Sequence, residues 1–384
     1  MIDFNDYGPA PSSSQMSQWL EESHLLTLSL LDDLAPEMLA LTQSAKLNLP
    51  LWEFGHVGWF NELWIHRNGD MQNSSILHGS DQLYDSSNVE HGRRWGLDLP
   101  DRDQTRHYLM RVFEKTRTLL KHDLDAQTAY FIQLAIYHQD MHNEAFAYTR
   151  QSVGYALPLK LKQRFDQKKQ QAQTLNQSLA KTGDIYFEPS VLEIGARRGR
   201  GFFFDNEKWA HPVALAAFSI SPYMVKNQEI LDFLASTNHA LMPEYWKLIE
   251  GVWCERQFDQ WLRLDPDAIA LHVSYDLAIA YCEWANRRLP TEAEWLCLRS
   301  SPACETGSVM HSFVWEWTAS VFTPFEGFAP DPYRDYSAPW MGGDHQVLRG
   351  ASWMTPDRLK RPGYRNFYMR NRSDIFCGFR TCAK

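Results

Sequence analysis

Four segments in the first 150 residues repeat apolar side chains at helical spacing. Apolar positions three and four residues apart fall on one face of an α-helix, so each segment predicts an amphipathic helix. Asp101 or Asp103 can cap the third helix, because short polar side chains accept hydrogen bonds from the first free amides. Four such helices predict a four-helix bundle over residues 1–159. The segments are SSQMSQWLEESHLLTLSLLDDL, LWEFGHVGWFNELWIHR, DRDQTRHYLMRVFEKTRTLLKH and LAIYHQDMHNEAFAY.

The hydrophobic pattern changes in the second half of the chain. Residues 160–182 are rich in Gln and Lys, and we interpret them as a linker or a solvated helix. From residue 183, short β-type runs are separated by Gly, Pro and Asp turns, and two helical patterns, NQEILDFLAST and SYDLAIAYCEWANRR, interrupt them. We therefore expect an α+β protein with a helical domain over residues 1–159 and a mixed domain over residues 183–384.

Composition narrows the class of protein. Hydrophobic residues make up 44% of the 384 residues and charged residues 22%, which suits a globular protein with real cores. The net charge of -9 argues against a nucleic-acid partner or an anionic membrane surface. No apolar run is long enough to span a bilayer, and no secretory leader is visible. The six cysteines form no C-x-x-C pair, so we expect free thiols and a cytoplasmic protein.

Two histidines in the fourth helix carry the first chemical signal. His138 and His142 are four residues apart, so they point the same way, toward the apolar face. Two buried imidazoles need two partners, either hydrogen bonds within the core or one shared metal ion. His56, in the aromatic stretch FGHVGWF, is the best third ligand. Three imidazoles leave coordination positions open, and zinc and iron(II) both accept such a set.

The motifs resemble those of one enzyme family. The stretches HVGWF and HQDMH are similar to the histidine pattern of the DinB-like bundle in ergothioneine-type sulfoxide synthases. The second half resembles the formylglycine-generating-enzyme fold, which is C-type-lectin-like, through RLPTEAEW, WEWT, LRGASW and FCGFR. The resemblance covers nearly the whole chain. It implies an O2-dependent enzyme with a mononuclear iron(II) cofactor, Fe(2+), that joins sulfur or selenium to C2 of the imidazole of hercynine.

The resemblance also implies roles for individual residues. His56, His138 and His142 match the iron ligands, and Tyr333 matches the catalytic tyrosine, a phenol that can act as a general acid. The positions that match binding residues for hercynine are Tyr336, Asn366 and Phe367. The positions that match or approach binding residues for the sulfur donor are Tyr368, Arg372, Arg93 and Arg94.

Two departures from the family pattern bear on the donor. Tyr368 stands where enzymes that use γ-glutamylcysteine carry an aspartate, and Met141 stands where some carry a glutamine. Loss of the carboxylate removes the partner of an ammonium group. A donor without a free amino acid group would fit better. The loop LYDSSNVEHGRRWGLDLP and the segment DIFCGFRTCA resemble the selenoneine synthase branch, whose donor is a selenosugar.

Other functions stay open at this stage. An ergothioneine-type sulfoxide synthase that uses γ-glutamylcysteine or cysteine is one alternative, and a zinc-dependent DinB-like thiol transferase is another. A formylglycine-generating activity would need an active-site cysteine pair, and the setting of Cys377 and Cys382 does not match one. A non-catalytic binding module is the remaining class, because this fold is reused for binding.

Overall fold

The computed structural model describes residues 3–39, 41–237, 240–305 and 313–384. The chain forms two compact units. The helical unit comprises Met1–Ala147 with Arg198–Phe202, and the mixed unit comprises Tyr148–Arg197 with Phe203–Lys384.

The helical unit contains the four predicted helices. Ser12 caps the first helix by accepting from the Gln15 amide, and Asp101 with Gln104 forms a reciprocal capping box on another. Of the two predicted caps, Asp101 and Asp103, Asp101 is therefore the one that caps this helix. The helices that begin in this unit are α1 (Ser13–Asp32), α2 (Pro36–Leu39), α3 (Pro50–Asn61), α4 (Ser80–Tyr84), α5 (Arg102–Leu119) and α6 (Ala126–Val153).

Helices α1, α5, α3 and α6 form the bundle, and each of them contacts two of the others. The α3–α5 contact depends on a glycine, because a Cβ atom on Gly58 would lie 3.0 Å from the ring of Tyr108. The other three contacts each join a pair of side chains across two helices. These pairs are His24 with Phe113 (rings 4.1 Å apart), Phe54 with Phe146 (3.8 Å) and Thr27 with Gln139 (hydrogen bond of 2.7 Å). The first half is thus a four-helix bundle, as predicted.

The mixed unit contains short helices and strands. Its helices are α7 (Leu159–Leu179), α8 (Asn227–Thr237), α9 (Tyr275–Trp284), α10 (Glu292–Arg299) and α11 (Pro302–Glu305). Its strands are β1 (Ile185–Phe187), β2 (Ser190–Ile194), β3 (His211–Leu215), β4 (Phe218–Ile220), β5 (Trp246–Ile249), β6 (Val252–Gln257), β7 (Gln260–Arg263), β8 (Arg287–Arg288), β9 (Trp315–Val321), β10 (His345–Gly350), β11 (Asn366–Met369), β12 (Cys377–Gly378) and β13 (Cys382–Ala383).

The strands form four small sheets. Their orders are β1-β4-β13-β8, β11-β10-β9-β12, β2-β3 and β5-β6-β7. The second sheet bears three of the seven candidate binding residues, all on β11. This strand runs antiparallel to β10, with Phe367 opposite Val347 and Tyr368 opposite Gln346. Both predicted helical patterns of this half form helices, α8 and α9, which confirms an α+β fold of little regularity.

Buried ion pairs explain the charged residues of the motifs in the second half. Glu316 of WEWT receives two hydrogen bonds from Arg380 of FCGFR, at 2.5 and 3.0 Å. Glu292 of RLPTEAEW binds Arg365 at 3.0 Å and lies 3.3 Å from Arg349 of LRGASW. A buried charge is tolerated only when it is paired and hydrogen-bonded, so these acids and arginines are required together. The motifs therefore specify the core of this unit.

The segment predicted as a linker or solvated helix forms α7. One face of this helix is buried, including Leu161, Phe165 and Leu179, and it belongs to the mixed unit. The Gln and Lys residues lie mainly on its other face. The six cysteines are free, as expected. Within the described residues, no helix has the length and apolarity needed to cross a membrane.

Candidate metal centre

Three histidines converge inside the helical unit. His56 lies on α3, and His138 and His142 lie one turn apart on α6. One ring nitrogen from each lies within 4.8 Å of the others. His56 and His138 are 3% and 4% exposed, and the side chain of His142 is 17% exposed. The structure thus brings together the three histidines that the sequence grouped, and leaves one of them partly accessible.

Hydrogen bonds fix the tautomers of two of these imidazoles. The Nδ1–H of His56 donates to the carbonyl oxygen of Tyr84 at 2.8 Å, and the Nδ1–H of His142 donates to Oε1 of Glu53 at 2.6 Å. A carbonyl oxygen or carboxylate can only accept here, so each Nδ1 carries the proton. Each Nε2 then keeps its lone pair. This is the arrangement in which histidines bind metals, with the second nitrogen held by an outer partner.

The distance between the nitrogens fits a shared ion. Nε2 of His138 lies 3.2 Å from Nε2 of His142. Two metal–nitrogen bonds of about 2.1 Å can span that distance around one ion. Burial, followed by the neighbouring imidazoles, lowers the pKa of His56 and His138 well below its usual range. Both rings are therefore neutral at pH 7, which is the form that binds a metal.

Aromatic side chains surround the three imidazoles. Phe60 stacks on His138 with ring centroids 3.5 Å apart, and Trp52 stacks on His56 at 5.0 Å. These rings hold the imidazole planes and exclude water from one side of the cluster. A dry surrounding strengthens the interaction of a bound cation with its ligands. The residues present thus fit a divalent transition metal, while three nitrogens alone do not select zinc or iron(II).

Sequence reasoning did not identify Glu53. This residue is 2% exposed and lies one helical turn before His56 on α3. Its only sequence signal is an acid within LWEFGHVGWF, where nearly every neighbour is apolar or aromatic. A carboxylate inside such a helix needs a buried partner. Its partner, His142, is on another helix, so the sequence could not name it.

The two arginines expected to bind the donor differ in their surroundings. Arg93 is exposed. Arg94 is 8% exposed, and its guanidinium carbon lies 3.8 Å from the ring centroid of Trp52. Arg94 also donates to Asn48 Oδ1 at 2.5 Å and to the carbonyl of Val89 at 3.3 Å. Its guanidinium is thus engaged within the helical unit, whereas that of Arg93 faces solvent.

The mixed unit brings three of the predicted residues together. Tyr333 and Tyr336 lie on one loop with ring centroids 6.2 Å apart, and Tyr336 meets Phe367 of β11 edge-on at 6.1 Å. Burial raises the pKa of Tyr336 well above its usual range, so its hydroxyl keeps its proton. The three rings are half-buried, so they form an aromatic surface that remains accessible in part.

The remaining predicted residues lie on or beside β11. The guanidinium of Arg372 lies 5.1 Å from the ring centroid of Tyr368 and forms two hydrogen bonds of 2.6 Å with Asp374. The Asp374 carboxylate therefore neutralises Arg372. Asn366 and Phe367 are consecutive residues of one strand, and consecutive side chains of a strand point to opposite faces. Asn366 accepts a hydrogen bond from the Phe367 amide at 2.9 Å.

The chain is similar to named proteins along its length. It is 28% identical to a hercynine oxygenase of Mycobacterium tuberculosis over 96% of this chain and 98% of that protein. The alignment spans both the three-histidine unit and the mixed unit. The similarity over both lengths relates the chain to proteins named hercynine oxygenase. This similarity agrees with the resemblance that the motifs carry to ergothioneine-type enzymes.

Further comparisons fall on parts of the chain. Residues 162–310 match the model of the sulfatase-modifying factor enzyme 1-like domain, which confirms the fold class of the second half. An ergothioneine biosynthesis protein 1 of Schizosaccharomyces pombe is 30% identical over 47% of this chain and 27% of that protein. A bovine formylglycine-generating enzyme is 31% identical over 29% of this chain and 36% of that protein. The hercynine oxygenase and the formylglycine-generating enzyme are both named as enzymes.

Proposed function

We propose that this protein is a cytoplasmic, iron(II)-dependent enzyme that uses O2 to join sulfur or selenium to C2 of the hercynine imidazole. One observation carries the proposal. Three histidines converge, two of them with metal-binding tautomers, in a chain that is similar over 96% of its length to a hercynine oxygenase. His56, His138 and His142 would hold the metal, and Glu53 would orient His142. Iron(II), when bound, supplies the redox chemistry by which O2 is used.

The overall reaction balances with a thiol donor. Hercynine loses the hydrogen on C2, the donor loses the hydrogen on sulfur, and a C–S bond forms. The oxidation of this bond to a sulfoxide places one oxygen atom on sulfur, and the second oxygen atom leaves as water with the two hydrogens. O2 thus accepts four electrons. A selenol donor would follow the same balance with selenium in place of sulfur.

The aromatic surface of the mixed unit suits the substrate. Hercynine carries a trimethylammonium group, and aromatic faces attract such cations by about 0.5–2 kcal/mol per ring. Tyr336 and Phe367 supply two of these faces, and Asn366 adds an amide that can bind a carboxylate. Tyr333, whose role follows from the resemblance, would supply the proton that reduced oxygen needs.

Tyr368 and Arg372 bear on which sulfur or selenium donor the enzyme would use. Tyr368 replaces an acid, and Arg372 beside it is already neutralised by Asp374. A donor with a free amino acid group needs an anion for its ammonium and a free cation for its carboxylate. This pair of residues offers neither. A neutral polar donor, such as a selenosugar or a thiosugar, suits these residues better than γ-glutamylcysteine does. The ergothioneine-type reaction with γ-glutamylcysteine or cysteine is the second candidate, which the named relatives favour.

Metal analysis and oxygen uptake test the proposal together. Protein purified without oxygen should contain about one iron per chain and should consume O2 only with hercynine and a donor present. His138→Ala should lower iron occupancy at least tenfold, in line with the loss of a direct ligand. His107→Ala, which changes an exposed histidine of α5, is the matched control and should keep its iron.

The alternatives predict different results. A zinc thiol transferase would hold zinc and would consume no O2. Full iron occupancy and activity in His138→Ala would contradict the site. Kinetics with a selenosugar, a thiosugar and γ-glutamylcysteine then decide the donor: if γ-glutamylcysteine gives the highest kcat/KM, the selenoneine assignment is wrong.

A further inference from the structure

A short loop in the mixed unit carries both predicted active-site tyrosines. We call residues 331–337 the tyrosine loop; Tyr333 and Tyr336 lie within it. Its first and last residues, Asp331 and Ser337, are 4% and 0% exposed. The loop is therefore tied down at both ends, although residues between them reach the surface.

Both ends of the loop bind one segment, residues 204–208, which we call the platform. Lys208 forms an ion pair with the Asp331 carboxylate, and both side chains are 5% exposed. The hydroxyl of Ser337 donates to Oδ1 of Asp205 at 2.5 Å. Asp205 thus holds the end of the loop at Ser337, and Lys208 holds the end at Asp331 through a charge-assisted bond.

The platform also contacts the middle of the loop. Phe204 stacks on Tyr336 with ring centroids 4.4 Å apart. The platform is itself anchored, because Glu207 binds Arg361 at 2.7 and 3.2 Å and the carbonyl of Asn206 accepts from Arg365 at 2.7 Å. The platform is therefore a fixed support for the loop.

From these contacts we infer that Asp205, Lys208 and Ser337 are positioning residues: they hold the tyrosine loop so that Tyr333 and Tyr336 keep one geometry during turnover. The reaction part of this inference rests on the proposed function, whereas the ordering of the loop does not. Hydrophobic contacts alone would allow the loop to slide, because they have no fixed direction. A hydrogen bond at one end and an ion pair at the other define the direction and the length of each attachment.

The burial of Asp205 is consistent with a role beyond packing. Its second oxygen, Oδ2, is buried without a hydrogen-bond partner among the described residues. Burial raises the pKa of this carboxyl to about 6. An incompletely bonded buried carboxylate is costly to keep, and an apolar residue would pack there at less cost. Its contribution is therefore the hydrogen bond that it accepts from Ser337.

Hydrogen exchange of the full chain tests the ordering. Ser337→Ala removes one attachment with little change in volume, and Lys208→Met removes the ion pair. Each variant should exchange the amides of residues 331–337 at least tenfold faster than the wild type does. Lys169→Met is the matched control, because Lys169 forms a 2.8 Å ion pair with Glu255 away from the loop. Unchanged exchange in the loop of Ser337→Ala overturns the inference, even if Lys208→Met does not fold.

Coupling of O2 use to product formation tests the positioning. Ser337→Ala should form at least threefold less product per O2 consumed, a ratio that does not depend on the fraction of folded enzyme. A wild-type ratio in a variant with a loosened loop would refute the positioning role. If the wild type forms no product from hercynine, the proposed function fails, and hydrogen exchange still decides whether the platform orders the loop.

Discussion

The hydrogen bond between Glu53 and His142 gives the sharpest prediction for the metal site. Glu53 is 2% exposed, and its Oε1 lies 2.6 Å from Nδ1 of His142. The carboxylate fixes the tautomer and increases the electron density on Nε2. Loss of such an outer partner lowers metal affinity by about 10- to 100-fold. This corresponds to about 1.4–2.8 kcal/mol of binding free energy.

Two substitutions separate charge from shape. Glu53→Gln keeps the size and one acceptor oxygen, but the hydrogen bond loses the anion, and charge-assisted bonds are about twice as strong as neutral ones. We therefore expect about a tenfold loss in affinity for Glu53→Gln. Glu53→Ala also leaves the Nδ1–H of His142 without its acceptor, so its loss should approach about 100-fold.

Anaerobic titration with iron(II) or cobalt(II) against a chelator of known affinity measures both losses. Glu62→Gln is the control, because Glu62 is also a buried acid in the same helical run, 1% exposed, but it binds Ser75, Ile76 and Tyr108. The Glu62→Gln variant should keep wild-type metal affinity. Wild-type affinity in both Glu53 variants, or an equal loss in Glu62→Gln, would refute the reasoning.

Three further predictions concern other residues. Tyr333→Phe should leave iron and hercynine binding intact and slow turnover by about 10²–10⁴-fold, the usual contribution of a positioned acid; wild-type turnover would exclude that role. Tyr368→Asp should raise kcat/KM for γ-glutamylcysteine relative to a selenosugar in competition assays, and no change would separate this position from donor choice. Burial, and then Arg106, lowers the pKa of His24 to about 4, so the unfolded state binds more protons between about pH 4 and 6.5, and stability falls as the pH falls through that window. In urea unfolding, His24→Leu should therefore lose about 2 kcal/mol less than the wild type between pH 7.5 and 5, and equal losses would contradict the neutral buried state.

The sequence by itself determined the fold class and the grouping of His56, His138 and His142. Helical spacing places His138 and His142 on one face whatever surrounds them, because α-helix geometry is local. The same local rule predicted the bundle helices and the capping by Asp101. The motifs of the second half contain the acids and arginines that pair in its core. Their resemblance to a known fold therefore indicated the fold class, although each strand is too short to give a clear periodic signal.

Tertiary structure decided every feature that joins residues distant in the chain. Glu53 meets His142 across two helices, Arg94 stacks on Trp52, and the platform at residues 204–208 holds a loop more than 120 positions away. The periodicity of apolar residues does not specify these partners. An acidic, basic or aromatic side chain at such a position is equally compatible with the same helix or strand. Burial imposes the pairing, because a charged group removed from water is stable only beside a partner. Tertiary packing determines which residue that partner is.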